Sequence, residues 1–218
     1  MNDSELEPGT AADERPRGGR AAKRTAILDG AVRIFAKDGY SHASIDSLAR
    51  AAGVSTRTIY NHFTDKADLF RTVIADSAEK VAAMEITLIN EHLGHGSSPE
   101  AELTAFARAW LQPHPDARNH LALVRQLNAE AEHIPSEIVS VWRDAGPLRV
   151  RRALAERFAE WGRSGVLHFR DVQHAAVHFV QLIAAANPGP MSGATDESQT
   201  DEWITAGVGA FLRGYGRG

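Results

Sequence analysis

Apolar residues recur every three to four positions along most of this chain, and that period predicts one helix after another. Over residues 20–38, Ile27, Leu28, Ala31, Ile34 and Phe35 share a face, and Gly39 ends the run. Ile45, Leu48 and Ala49 repeat the pattern on a shorter helix that Ser44 can cap. Gly53 follows Ala52 as a stop, Val54 pins the turn, and Ser55 can cap a second short helix with Ile59 and Phe63 on its inner side. Thr64 can cap a long helix reaching about residue 92, through Leu69, Phe70, Val73, Ile74, Val81, Met84, Ile86 and Leu88. At 1.5 Å per residue such a helix spans about 40 Å.

Further helices are predicted beyond it. Ser98 and Pro99 are placed as N-cap and first residue of one carrying Leu103, Phe106, Trp110 and Leu111. Residues 116–133 carry Leu121, Val124, Leu127 and Ala131, and Pro135 opens a helix with Ile138, Val141 and Trp142. Gly146-Pro147 must interrupt or kink it, because proline lacks the N–H and clashes with the preceding turn. Leu148 to Trp161, residues 171–186 and residues 201–213 complete the series, with a Gly/Pro/Ser loop over 187–200. No strand alternation is present, and the run 166–169 is too short for one. The fold expected is all-α. Residues 1–16 should be a disordered acidic tail, 17–64 a three-helix helix-turn-helix unit, and 65–218 a second helical domain.

The polar face of the second short helix carries the candidate chemistry. Thr56, Arg57, Thr58, Tyr60, Asn61 and His62 set hydroxyls, a guanidinium, an amide and an imidazole opposite an apolar back. That combination suits the major groove, where base edges offer donors, acceptors and the thymine methyl. Arg57 can bond guanine N7 and O6 as a fork, while Tyr60 and His62 suit backbone positioning. Ser44, Ser55 and Lys66 are phosphate candidates, although both serines would sit there as caps without any nucleic acid.

The formal charge of −4 changes meaning once divided. Ten cationic and five acidic side chains lie between Arg17 and Arg71, a local surplus of +5 that leaves −9 elsewhere. One end is built to meet phosphate and the other is not. Arg17 to Lys23 can form an arm toward DNA or a solvated lead into the first helix. With 43% hydrophobic and 24% charged residues the composition is that of a soluble globular protein. The absence of cysteine excludes disulfides and thiolate chemistry. With no signal-peptide pattern at the start and no run of membrane-spanning length, a cytoplasmic location without membrane partners is expected.

Residues 20–70 closely resemble the DNA-binding domain of the tetracycline-repressor (TetR) family of bacterial regulators. The features carrying it are I-L-x-x-A-x-x-x-F-A-x-x-G-Y, the A-G-V-S turn, I-Y-x-H-F and D-K-x-x-L-F. Asn61 departs from the pattern, since many relatives carry an aromatic there. Residues 120–186 resemble the AefR/AcrR-like branch through R-x-L-x-A-E-A at 125–131, I-P at 134–135, G-V-L near 165–167 and D-x-x-x-A-A-x-x-F at 171–179. The resemblance implies a homodimer through the last two long helices, with helices before them enclosing a small-molecule pocket. It also implies a phosphate contact from Lys66.

That reading makes the protein a ligand-responsive repressor of palindromic operator DNA, released by a small apolar or aromatic effector. Its candidate pocket walls are Phe106, Trp110, Val124, Trp142 and Phe179, although aromatics at helical spacing also serve as plain core. A constitutive regulator with a filled core is the alternative. No hydrolase elbow, zinc-protease motif or phosphate loop is present, so no enzyme and no cofactor is expected. His174 and His178 share a helix face but lack a third ligand nearby, so no metal site is expected.

Overall fold

A computed structural model describes residues 17–112, 114–184 and 197–216. Among these, ten helices and no strand are present: α1 (Arg17–His42), α2 (Ile45–Ala52), α3 (Thr56–Tyr60), α4 (Lys66–His92), α5 (Pro99–Leu111), α6 (Pro115–Ala129), α7 (Ser136–Ala145), α8 (Pro147–Arg163), α9 (Val172–Ala184) and α10 (Glu197–Tyr215). The all-α expectation holds. The expected tail over 1–16 and most of the loop over 187–200 lie outside the described residues.

Two apolar cores divide the molecule. The first gathers Ile27, Ala31 and Phe35 of α1, Leu48 and Ala49 of α2, Ile59, Phe63, and Leu69, Phe70, Val73 and Ile74 of α4. Leu123 and Leu127 of α6 and Ile134 and Ile138 join the same core, so the small N-terminal head is roofed by helices from late in the chain. The second core is aromatic: Phe106, Phe158, Phe179 and Phe211 are all fully buried. The Phe158 ring lies 5.2 Å from that of Phe211 and 5.9 Å from that of Phe179. Helix α4 contributes to both, with Leu69 to Ile74 in the head core and Ala82 and Ile89 in the body core.

Several local expectations are corrected by the side chains that meet. The cap of α4 is Asp65 and not Thr64: its carboxylate accepts from the Asp68 N–H at 2.8 Å. Helix α3 closes at Tyr60, and residues 61–63 wind on as turns in which the His62 and Phe63 N–H groups donate to the Ile59 carbonyl. Of the two readings of residues 17–23, the lead into the first helix is the one the structure has, as the first part of α1. Helix α6 ends at Ala129, short of His133, where Glu130 leaves the helix and reaches α1. Its inner face is His120, Leu123 and Leu127, whereas Leu121 is 49% exposed and Val124 only half-buried. Both stripes are apolar enough to serve, and the head core underneath selects the first. Gly146-Pro147 interrupts the chain as expected, ending α7 and opening α8.

Candidate nucleic-acid interface

The head owes its shape to caps that the sequence supplies locally. Ser44 Oγ accepts from the Ser47 N–H at 3.1 Å while Ser47 Oγ accepts from the Ser44 N–H at 3.1 Å, a reciprocal box at the start of α2. Gly53 ends α2 at φ 65°, ψ 31°, a left-handed conformation glycine takes without a Cβ penalty. Ser55 Oγ accepts from the Thr58 N–H at 3.2 Å and lies 2.9 Å from the Thr58 hydroxyl, so α3 starts capped on the outer side of the turn.

Ile59 is fully buried and fastens α3 to the head, leaving its other residues outward. Arg57 and Asn61 are exposed, Tyr60 is 56% exposed, and Thr56, Thr58 and His62 keep part of their surface. All six candidates therefore keep surface on α3 or on the turn that follows it. The cationic end of α1 flanks it: the Arg24 guanidinium lies 5.7 Å from the Phe63 ring centre. The His62 imidazole is held below its ordinary value by burial and then by the charges of Arg20, Arg24 and Lys23. Three cations thus stand close enough to α3 for their field to reach it. Cations beside an exposed helix are placed to meet phosphate.

Lys66 is placed differently from the other candidates. Its ammonium donates to the carbonyls of Tyr40 at 2.8 Å, Ala43 at 3.0 Å and Ser41 at 3.4 Å, and it lies 4.6 Å from the Tyr40 ring centre. An ammonium has three donors, and these carbonyls account for them. The lysine expected at a phosphate instead caps the end of α1. The hydroxyls of Ser44 and Ser55 are likewise engaged as caps.

The five candidate pocket residues do not line one chamber. Phe106 and Phe179 are fully buried in the body core with ring centres 6.1 Å apart. Trp110 packs at the edge of that core, and its Nε1 donates to Glu85 Oε1 at 2.8 Å. Trp142 packs on the head core and points its Nε1 toward His120 Nε2 at 3.5 Å, while Val124 sits half-buried on α6. The separation follows from the buried residues of α6 and α7 joining the head core, while those of α5 and α9 join the body core.

The contacts that Glu85, His120 and Glu130 make between helices were not anticipated. Burial pushes the Glu85 carboxyl up to about 7, only partly offset by the Trp110 hydrogen bond. His120 is buried against Ser77 Oγ at 3.1 Å, and burial lowers its imidazole. Glu130 accepts from the N–H groups of Tyr40 and Ser41 at 2.9 and 2.7 Å. The signal for each was a polar residue in register with an apolar stripe: Glu85 between Ala82 and Ile89, His120 before Leu123 and Leu127, Glu130 after Leu127. A cleft of about 270 Å³ between α1, α4 and α6 is lined by Asp29, Val32, Arg33, Asp76, Ser77, Lys80, Asp116 and Asn119. His178 of the histidine pair lies with its Nδ1 2.7 Å from the Tyr215 hydroxyl, and His174 pairs with Asp171 at 3.5 Å.

Fold and exposed helix surface together define the class, a helix-turn-helix DNA-binding regulator. Residues 27–73 match the family described as bacterial regulatory proteins, tetR family, and residues 101–217 match the AefR-like transcriptional repressor C-terminal domain. The chain belongs to the TetR family. The HTH-type transcriptional repressor Rv1474c of Mycobacterium tuberculosis is 44% identical over 64 residues, 29% of this chain and 34% of that protein. The regulator AcrR of Shigella flexneri is 41% identical over 63 residues, 29% of each chain. These matches span about a third of the length of the curated relatives. Among solved structures, a TetR-family regulator from Mesorhizobium loti superposes with a TM-score of 0.78 at 27% identity, covering 93% of this chain and all of that one. The flavonoid-responsive regulator FrrA gives 0.69 at 27% identity, covering 90% and 98%. Among the described residues no helix is long and apolar enough to cross a membrane.

Proposed function

We propose that the protein is a homodimeric repressor that binds a palindromic operator and is released by a small, apolar or aromatic effector. The observation that carries the reading is the exposed surface of α3, anchored by Ile59 and flanked by Arg20, Lys23 and Arg24. Arg57 reads bases from the start of that helix, Thr56 and Thr58 stand beside it, and Tyr60, Asn61 and His62 meet the backbone. A two-fold dimer sets two such helices in successive major grooves, about 34–36 Å apart. Dimerisation through α9 and α10 is supported by their outward apolar residues, Val177 at 37% and Trp203 at 52% exposure. The flavonoid response of FrrA, at 27% identity over most of both chains, supports an aromatic effector. The effector must favour the conformation that does not bind DNA, or it shifts nothing.

A second reading, a constitutive regulator, is favoured by the interlocked aromatic core of the body, where Phe106, Phe158, Phe179 and Phe211 leave their rings fully buried. Binding of the purified protein to its own promoter fragment, across a salt series and a panel of aromatic compounds, separates the two. Release by one compound supports the first, indifference to all supports the second, and a weak salt-sensitive background alone defeats both.

A further inference from the structure

The last turn of α1, beyond the kink at Gly39, and the link to α2 are gripped from two sides by groups of opposite charge. Lys66, at the start of α4, takes their carbonyls, those of Tyr40 and Ala43 among them. Glu130, at the end of α6, takes their N–H groups, those of Tyr40 and Ser41. Lys66 belongs to the head, whereas Glu130 comes from ninety positions further along the chain. Burial alone would raise the Glu130 carboxyl, but the Ser41 and Tyr40 donors and the nearby His42 hold it below the ordinary range. It is therefore ionised, and a carboxylate with two N–H donors is a directional, charge-assisted contact. The apolar contacts of Leu123 and Leu127 beneath it are non-directional and let two surfaces slide.

The geometry points to Glu130 as the positioning residue that fixes the register of the DNA-binding head against α6. It makes a displacement of α6 a displacement of α2 and α3. The inference rests on the repressor reading for its purpose but not for its geometry. Gly39 supports it: the glycine sits at φ 76°, ψ 177°, and any Cβ there would fall on the Glu130 carboxylate. The absence of a side chain at Gly39 thus leaves room for the carboxylate to reach this turn.

The chain has no cysteine, so introduced cysteines are unique attachment points. Spin labels at Arg50→Cys on α2 and Arg125→Cys on α6, both exposed positions, report the distance from the head to α6 in full-length protein diluted with unlabelled chain. Glu130→Gln, which turns an amide N–H against one of the two donors, should broaden and shift that distance distribution. Its affinity for the promoter fragment should fall about tenfold while the circular dichroism stays helical. Gly39→Ala attacks the same contact from the head side and should broaden the distribution in the same way. Unchanged distributions in both variants overturn the inference, whatever happens to DNA binding. Broadening in a protein whose unaltered form never binds the promoter upholds the joint and defeats the repressor reading.

Discussion

The Glu130 carboxylate occupies the space that a side chain at Gly39 would need. Gly39 lies in a region of backbone space, φ 76° with ψ 177°, that is nearly reserved for glycine. Gly39→Ala should therefore cost about 2 kcal/mol from the backbone alone and more from the displaced carboxylate. In urea unfolding, the double variant Gly39→Ala, Glu130→Ala should lose less than the sum of its parts. Strict additivity would mean that the two positions do not interact.

Arg57 and Lys66 should separate cleanly in DNA binding. Arg57→Ala should remove the preference for operator over random DNA by about 1–3 kcal/mol, seen as a collapsed ratio of the two affinities. Lys66→Met should leave the salt slope of binding unchanged, because its ammonium faces the Tyr40 and Ala43 carbonyls, and should lower stability by about 1–3 kcal/mol. A salt slope reduced by about one in Lys66→Met would return that lysine to the phosphates.

Glu85 should make the fold more stable in mild acid. Its carboxyl titrates at about 7 when folded and near 4.5 when unfolded, so between those values the native state holds the extra proton. That contribution is complete below about pH 4.5 and is lost as the pH rises through about 7. Glu85→Gln should flatten the melting temperature between pH 5 and about 8 relative to the unaltered protein. Parallel pH curves for the two proteins would show that the carboxyl is not withheld from water.

Trp203 is the exposed aromatic of α10 and lies on the face proposed to pair with a second copy. Trp203→Glu should shift the protein to monomer in sedimentation and weaken promoter binding, since one head alone spans half an operator. A dimer of undiminished stability would move the interface elsewhere.

The head was legible because its determinants are local. Ser44, Gly53 and Ser55 each specify a cap or stop within four residues of themselves, and Ile59 declares the inner side of α3. The resemblance covered the same stretch. The body was harder because its decisions are made across the chain. Helix α6 carries apolar residues at 121 and 124 as well as at 123 and 127, and only the head core below chooses between them. Lys66 reads as a surface cation until the α1 carbonyls, more than twenty positions away, are in place. Trp110 and Trp142 read as neighbours of helix breaks, yet packing sends one to each core.

Helix α4 is a single unbroken rod of 27 residues whose two ends are embedded in different cores. A rod about 40 Å long that tilts by about 5° carries its far tip roughly 3.5 Å, more than the length of a hydrogen bond. Over the roughly 20–30 Å that separate Ala82 and Ile89 from Leu69, the same tilt would displace the head end by about 2 Å. Under the repressor reading, a volume change in the body would reach the groove as an error of alignment, with no part of the rod needing to bend.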